Sequence, residues 1–262
     1  MAGKVTFIIG RSGAGKSRRV RRIIGEKLNE GARIALIVPE QFTFETERQL
    51  SEEFGGLMDV SVYSFTTLAR KVLKGRVHGF LSRQGRRMAV RKVITEQGKN
   101  LSVFARVQDS PGFVASCDEL FTMCKRFEVS PEQLREAAGN MEQTAPLKDK
   151  LNELAMLYAE TENYLSGRYM DTEDIFAALK AELPRSFIKD SYVIIDGFDL
   201  LTVQLYGLME AMMDTAPGMA ITFRVDNGRD ERVFAPERRA YARLYQKAQE
   251  KGCGIEVIRL PD

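Results

Sequence analysis

Hydrophobic and polar positions along the chain follow three successive patterns, which change near residues 80 and 185. In the first part, short apolar runs rich in β-branched residues alternate with amphipathic stretches of helical period. The runs predict strands at 4–9, 33–38 and 59–63, and the amphipathic stretches predict helices at 16–28, 43–54 and 64–73. Because strands separated by helices pair in parallel through helical crossovers, this order predicts an α/β fold with a parallel sheet.

The middle part, residues 81–185, has helical periodicity and no strand-like run. A helix start is predicted at Ser130, which is followed by Pro131 at the first helical position and Gln133 at the third. Two apolar stripes have the three- and four-residue spacing of packed helices: Val114, Cys117, Phe121, Cys124 and Phe127, then Leu147, Leu151, Leu154, Tyr158, Thr161 and Leu165. This part is therefore predicted to be all-helical.

Strand-like runs return after residue 185, at 192–195, 219–223 and 254–258, with helical stretches at 203–213 and 236–251 between them. The simplest architecture is one α/β domain, formed by residues 1–80 and 186–262, that is interrupted by an all-helical insertion at 81–185. We expect the chain to cross between the two parts at 76–84 and 184–191. Only "RLPD" follows the last strand, so we expect the sequence to be part of a longer protein.

The composition excludes several classes of protein. Of 262 residues, 44% are hydrophobic and 29% are charged, which is ordinary for a globular protein. The N-terminal run "VTFII" is too short for a signal peptide, and no apolar run approaches the roughly 20 residues that span a bilayer. Cys117, Cys124 and Cys253 lack C-x-x-C spacing, which indicates a reducing compartment without disulfides or a zinc site. We therefore expect a cytoplasmic protein without membrane association.

Charge is unevenly distributed, although the net charge is only +3. Residues 70–92 contain nine Lys or Arg and no acid, whereas residues 109–183 contain 15 acids and seven bases. Such asymmetry suggests a surface for a polyanion beside a surface that repels one. A solvated helix surface explains the same counts equally well, so charge alone does not decide between the two interpretations.

The segment "GRSGAGKS", residues 10–17, matches G-x-x-x-x-G-K-[ST] at every fixed position and lies between the first strand and the first helix. In such a loop, backbone N–H groups surround the phosphates of a nucleotide, the lysine reaches the β and γ phosphates, and the hydroxyl ligates magnesium. The N-terminus of the following helix also favours an anion. The match predicts an ATP–Mg²⁺ site formed by Gly10, Arg11, Ser12, Gly13, Ala14, Gly15, Lys16 and Ser17.

The segment "YVIIDGF", residues 192–198, ends a predicted strand at Asp196, as does the strand on the magnesium side of a P-loop ATPase. Asp196 is therefore predicted to hold magnesium together with Ser17. Helicase-type ATPases usually place a glutamate next, which positions the attacking water, but this chain has Gly197. Asp199 follows three residues after Asp196, too far along the loop to be expected within reach of that water. We expect ATP binding with weak or no hydrolysis.

Four segments in this order, "IIGRSGAGKS", "LIVPEQFTF", "VYSFTTLARKVL" and "YVIIDGF", resemble the N-terminal region of AddB, the B subunit of AddAB helicase–nucleases. The resemblance covers all 262 residues. It implies a RecA-like P-loop domain with an inserted helical subdomain, a partner subunit similar to AddA, and a role in DNA double-strand-break repair and recombination. It also implies that a second RecA-like domain, the nuclease domain and an iron–sulfur cluster lie beyond Asp262.

The same resemblance bears on DNA binding. Ser64 and Phe65 occupy a turn similar to the "TFHxLA" segment of superfamily I helicases, which touches single-stranded DNA. Together with the basic stretch, and Arg83, Arg86 and Arg87 in particular, this turn predicts a surface for single strands and duplex ends. Phosphates are expected on the cations and a base on the aromatic ring.

Three functions remain open at this point. The leading one is a nucleotide- and DNA-binding scaffold domain of a helicase–exonuclease subunit that hydrolyses ATP weakly or not at all. The first alternative is an active DNA-dependent ATPase or helicase domain whose missing glutamate is supplied elsewhere. The second is a P-loop small-molecule kinase with the helical insertion as its lid. A kinase lid is expected to be arginine-rich, whereas this insertion is net acidic from residue 109 onward.

Overall fold

The structure is a computed structural model that describes residues 3–56, 59–74, 81–142, 146–166, 169–170, 174–199, 201–225 and 234–261. The chain forms two compact units. The first comprises Met1–Leu73 and Phe176–Asp262, and the second comprises Lys74–Ile175. The predicted crossing at 76–84 falls mostly on residues outside the described ranges.

The secondary structure follows the order predicted from the sequence, with small shifts at the element ends. The strands are β1 Lys4–Gly10, β2 Arg33–Ile37, β3 Val60–Tyr63, β4 Ser191–Ile195, β5 Gly218–Arg224 and β6 Gly254–Arg259. The α-helices are α1 Lys16–Asn29, α2 Thr43–Phe54, α3 Phe65–Val72, α4 Arg83–Gln97, α5 Pro111–Arg126, α6 Pro131–Gly139, α7 Pro146–Leu165, α8 Asp174–Glu182, α9 Val203–Thr215 and α10 Ala235–Glu250.

The first unit is built on one six-stranded sheet in the order β3-β2-β4-β5-β1-β6. Every pairing in it is parallel, which confirms the predicted α/β fold and agrees with a RecA-like arrangement. β5, which comes late in the sequence, lies between β1 and β4. The carboxyl ends of β1, β5 and β4 are therefore neighbours at one edge of the sheet.

The sheet is buried on both faces, as a parallel sheet with helical crossovers must be. On one face, Ile8 of β1 and Ile194 of β4 belong to a core that includes Ile24 of α1 and Leu50 of α2. On the other face, the ring of Phe7 packs edge-on against Tyr241 of α10, with ring centroids 5.4 Å apart. Each fully buried aliphatic or aromatic side chain contributes about 1.5–3 kcal/mol to folding.

The second unit has a helical core of its own. The rings of Phe121 on α5 and Tyr158 on α7 stack with centroids 5.0 Å apart, and Val93 and Ile94 of α4 are buried in the same cluster. In the described part of residues 74–175, no segment joins the six-stranded sheet. The predicted helix start is confirmed, because Ser130 forms a reciprocal capping box with Gln133 at the beginning of α6.

Two residues of the predicted apolar stripes are not buried. Phe127 and Leu147 are about half exposed, at 54% and 52%. Phe127 is the residue after the end of α5, and Leu147 is the second residue of α7. Each lies at a helix end, where neighbouring helices no longer cover the stripe, so the prediction that they belong to the core is wrong.

Helix α8 differs from the predicted organisation. The sequence places it inside the insertion, whereas the structure assigns the chain from Phe176 onward to the sheet-bearing unit. The ring of Phe176 lies 6.4 Å from that of Phe65, which follows β3, and Leu179 is fully buried. Helical periodicity shows that one face of α8 is apolar, but it does not show which core that face joins.

Glu153 of α7 organises the turn that follows α4. Its carboxylate accepts hydrogen bonds from the backbone N–H groups of Ser102, Val103 and Phe104 at 2.7–3.0 Å, and from the Ser102 hydroxyl at 2.7 Å. Burial raises the pKa of Glu153, but these hydrogen bonds outweigh burial and hold the pKa below its ordinary value. A buried carboxylate is tolerated here because its oxygens are fully engaged.

The three cysteines are buried free thiols. Burial raises the pKa of Cys117 to about 12, so its thiol stays protonated and unreactive at neutral pH. No helix in the described ranges is long and apolar enough to cross a membrane. The same part of the chain holds no group of three or more His, Cys, Asp or Glu side chains placed to bind a metal ion.

Candidate nucleotide-binding site

The phosphate loop connects the carboxyl end of β1 to α1. Gly13 and Gly15 have φ angles of 83° and 87°, in the left-handed region that glycine adopts without strain. A side chain at Gly10 would approach the Ala14 Cβ to 3.0 Å, so glycine is required there as well. Gly15 caps α1 without a side-chain hydrogen bond, which leaves the N–H groups of the first helical turn available to an anion.

Lys16, the first residue of α1, folds back over the loop. Its Nζ donates to the carbonyl oxygens of Gly10 at 2.8 Å and Arg11 at 2.6 Å. Burial lowers the pKa of Lys16, and the charge of Arg224 lowers it further, while Asp196 opposes both effects. The ammonium group is thus held at the loop by neutral carbonyls, which a phosphate can replace with a stronger, charge-assisted interaction.

Asp196 lies immediately after β4, two strands from the phosphate loop. The Ser17 hydroxyl donates to its Oδ2 at 3.4 Å, and the Thr222 hydroxyl donates to its Oδ1 at 2.6 Å. The structure therefore brings together Ser17 and Asp196, the two residues assigned to magnesium from the sequence. Thr222 was missed in the sequence analysis, because its position next to Asp196 depends on β5 lying between β1 and β4.

Gly197 turns the chain away from the end of β4. Its φ is 81°, and its N–H donates to the Thr222 Oγ1 at 3.3 Å. A Cβ built on Gly197 has its nearest neighbour, the Pro39 Cδ, at 3.5 Å, an ordinary contact distance. The turn has space for a side chain, but its left-handed backbone disfavours any residue other than glycine.

A cavity of about 400 Å³ lies at this edge of the sheet. Its lining includes four cationic side chains and two carboxylates: Lys16, Arg18, Arg21, Arg224, Asp196 and Asp199. The excess of positive charge, the helix N-terminus and the two glycines fit a polyphosphate. A hydroxyl beside a carboxylate, Ser17 with Asp196, fits the oxygen ligands that magnesium prefers. The residues present therefore fit ATP–Mg²⁺.

Arg224 and Asp199 complete the cavity. Arg224 is the last residue of β5 and the register partner of Gly10, where the phosphate loop begins. Its Nη1 lies 3.4 Å from the Asp199 Oδ1, and its Nη2 lies 3.1 Å from the Oε1 of Glu237 on α10. Asp199 thus lines the same cavity as Lys16, which its distance along the loop did not suggest.

Comparison with known proteins identifies the family. The family model described as "ADDB, N-terminal" matches residues 7–262. The chain belongs to the AddB N-terminal family. It is 32% identical to the B subunit of the ATP-dependent helicase/deoxyribonuclease of Alkaliphilus metalliredigens, over 98% of the chain and 23% of that protein. It is 31% identical to the Bacillus subtilis protein of the same name over 97% of the chain and 24% of that protein, and 35% identical to a Thermoanaerobacter relative over 86% and 20%. The chain spans about a quarter of the length of these relatives.

In this AddB N-terminal chain, the two residues assigned to single-stranded DNA are buried. Ser64 and Phe65 are 3% and 4% exposed. Ser64 caps α3 by accepting from the Thr67 N–H at 3.1 Å, and the ring of Phe65 lies 5.3 Å from that of Phe198. Both side chains stabilise the turn after β3 at the carboxyl edge of the sheet.

Two aromatic side chains at the same edge are exposed. Phe42 and Phe44 follow β2, at the junction between a short 3₁₀ helix and α2, and are 51% and 75% exposed. Their segment contributes to the family resemblance, but no role was predicted for it from the sequence. Exposed phenylalanines on a rigid turn provide a surface on which a base can stack.

The arginines assigned to DNA lie on α4 of the second unit and pair with acids of α5. The Arg86 Nε donates to the Oδ1 of Asp118 at 2.6 Å, and its Nη2 donates to the Thr122 hydroxyl. The Arg87 Nε donates to the Oδ2 of Asp118 at 3.3 Å, and Arg83 pairs with Glu119 at 3.3 Å. Because Asp118 is completely buried, Arg86 and Arg87 neutralise a charge in the helical core.

Proposed function

We propose that this chain is the nucleotide- and DNA-binding N-terminal region of the B subunit of a helicase–deoxyribonuclease, and that it binds ATP–Mg²⁺ while hydrolysing it weakly or not at all. The observation that supports it most is the meeting of Ser17 and Asp196 at 3.4 Å beside a complete phosphate loop. Residues 179 positions apart in sequence provide the two sides of one magnesium site.

The residues of the cavity divide the work of binding. The loop N–H groups and the α1 N-terminus surround the phosphates, and Lys16 leaves the two carbonyls to pair with phosphate oxygens. Magnesium, when bound, neutralises phosphate charge between Ser17 and Asp196. The Thr222 hydroxyl holds the Asp196 carboxylate in one orientation, so the metal-side oxygen is positioned before the nucleotide arrives.

Weak hydrolysis follows from two deficits. No side chain follows Asp196 to orient the attacking water, and the loss of a general base typically costs ~10²–10⁴-fold in rate. An arginine finger from a second domain, worth about 10³–10⁵-fold in related enzymes, is expected outside these 262 residues. Together they leave a site that retains its nucleotide, as a scaffold role requires.

Calorimetry and a turnover assay on the 262-residue chain test this proposal. We expect ATP–Mg²⁺ to bind, and Lys16→Ala to lose about 1.5–3 kcal/mol of binding free energy, the value of a charge-assisted hydrogen bond. Arg185→Gln, a change at an exposed arginine that pairs with Glu182, serves as the matched control. Equal affinities of the wild type and Lys16→Ala contradict nucleotide binding at this loop.

An active DNA-dependent ATPase is the second candidate, and the position of Asp199 favours it. Asp199 lines the same cavity as Lys16, so it is a candidate base that the distance along the sequence had disfavoured. DNA-stimulated turnover above about 1 s⁻¹, the low end of ordinary enzyme rates, that is abolished by both Lys16→Ala and Asp199→Asn supports this candidate over the scaffold.

The activity of the whole protein is inferred from its family. Relatives named as the B subunit of an ATP-dependent helicase/deoxyribonuclease support a role in processing DNA ends during double-strand-break repair and recombination, in the cytoplasm, with an AddA-like partner. DNA is proposed to contact the carboxyl edge of the sheet, where Phe42 and Phe44 are exposed, and separately the exposed cations of α4. The kinase alternative has no support from this family.

A further inference from the structure

The cavity contains an arginine that the phosphate-loop motif does not include. Arg224 ends β5, the strand between the phosphate-loop strand β1 and the strand β4 that carries Asp196. In a phosphate loop the backbone cradles the α and β phosphates, and the third phosphate lies towards the metal-side carboxylate. Asp196 marks that direction here, so Arg224 lies on the side of the cavity where a third phosphate is placed.

The two partners of Arg224 differ in how firmly they hold it. Glu237 is only 7% exposed, and it fixes one side of the guanidinium group from the first turn of α10. Asp199 belongs to the loop after β4, and its side chain is 63% exposed. A solvent-exposed ion pair is weak because water competes with it, whereas a pair with a buried carboxylate is costly to break.

We infer that Arg224 distinguishes a nucleoside triphosphate from a diphosphate by exchanging Asp199 for the third phosphate. Glu237 keeps the guanidinium group aimed into the cavity throughout, and the other face of the group passes from the carboxylate to the phosphate. This inference rests on nucleotide binding at the phosphate loop. Arginine suits the exchange because its planar fork holds a carboxylate on one edge and presents further N–H groups to a phosphate.

The exchange also releases Asp199. Once Arg224 engages phosphate, the Asp199 carboxylate loses its cationic partner and its loop loses one attachment to the end of β5. The state of the loop after Asp196 therefore depends on whether a diphosphate or a triphosphate is bound. A protein that retains ATP without turning it over obtains from this arrangement a conformational difference between its two nucleotide states.

Calorimetry with ADP and with a non-hydrolysable ATP analogue, both with magnesium, tests the inference on the 262-residue chain. We expect Arg224→Gln to lower the affinity for the triphosphate by about 10- to 100-fold, the range of a charge-assisted hydrogen bond, with a much smaller effect on ADP. Asp199→Asn, which removes the competing partner, is expected to raise triphosphate affinity by about 2- to 5-fold, the strength of an exposed ion pair.

Two controls separate this role from a structural one. Arg224→Lys keeps the charge without the fork and is expected to recover only part of the triphosphate preference, with an unchanged circular dichroism spectrum. Arg185→Gln is expected to keep both affinities. If Arg224→Gln weakens both nucleotides equally, or neither, the inference is overturned although nucleotide binding stands. If the wild type binds neither nucleotide, both the proposed function and the inference fall.

Discussion

At Gly197 the backbone turns with a φ of 81°, and this angle limits the chemistry of the site as much as the missing side chain does. A glutamate at this position would have to adopt a left-handed conformation that costs an L-residue roughly 1–2 kcal/mol. The Thr222 hydroxyl, which accepts from the Gly197 N–H, holds the turn in place. The loop after β4 is thus shaped for glycine and not for a water-positioning acid.

We therefore predict that Gly197→Glu does not restore ATP hydrolysis. Turnover should remain at background with or without DNA, because the side chain starts from a strained turn and the arginine finger is still missing. The substitution should also lower the free energy of unfolding by about 1–2 kcal/mol, measured by urea denaturation. Gly197→Asn is the matched control, since asparagine tolerates the left-handed region better and should cost less. A large gain in turnover from Gly197→Glu alone would contradict this account.

At the scale of single elements, the second unit depends on buried charges that are fully satisfied. Asp118 of α5 is neutralised by Arg86 and Arg87 of α4, and Glu153 of α7 closes the turn after α4. Leaving such a charge without its partners is strongly destabilising. The basic character of α4 is therefore partly a requirement of helix packing and not only a feature of its surface.

Glu153→Gln is predicted to destabilise the second unit at pH 7. A neutral amide accepts these N–H groups more weakly and places its own NH₂ against one of them, so we expect a loss of about 1.5–3 kcal/mol. Urea denaturation gives the magnitude, and amide hydrogen exchange at residues 102–104, which should accelerate, locates it. Glu136→Gln, an exposed acid on α6, is the control and should have little effect.

The pH dependence of this difference follows from the lowered pKa of Glu153. A carboxyl group whose pKa is lowered in the folded state contributes stability that is present above its ordinary pKa of 4.5 and is lost as the pH falls through the folded value. The difference between the wild type and Glu153→Gln should therefore be constant near neutral pH and shrink below about pH 4.5. A difference that grows on acidification would contradict the assigned role of the carboxylate.

At the scale of the whole molecule, DNA binding is expected from surfaces that each unit presents separately. Because Arg86 and Arg87 are committed to buried Asp118, reversing their charge would disturb folding as well as DNA binding. Exposed residues make a cleaner test: Phe44 in the first unit, and Arg83 and Arg91 in the second.

Single-stranded DNA should bind the chain weakly, with an affinity that falls steeply as salt rises, because phosphate contacts release counterions. Phe44→Ala should cost about 1–3 kcal/mol, the value of one stacked base, with little change in the salt dependence. Arg83→Glu with Arg91→Glu should weaken binding and reduce the salt dependence. Fluorescence anisotropy at several salt concentrations measures both effects. Tyr169→Ala, at another exposed aromatic residue, is the control for the loss of a ring, and an equal loss there would contradict stacking on Phe44.

The sequence alone determined the features that depend on local patterns. The phosphate loop, the alternation of strands and helices, and the capping box at Ser130 are each set by neighbours within a few positions, so they can be found from the one-dimensional pattern. Glycine spacing, β-branched runs and helical periodicity are physical requirements of the elements themselves. The α/β fold and its parallel sheet followed from the order of these elements.

Tertiary structure alone decided which distant side chains meet. Thr222 and Arg224 enter the nucleotide cavity because β5 inserts between β1 and β4, and strand order is not written in local periodicity. Burial likewise placed Ser64 inside the molecule and Phe44 outside, although both belong to segments of similar composition. The physical reason is the same in each case: a side chain's partners are chosen by the packing of elements, which brings together residues that the chain itself keeps far apart.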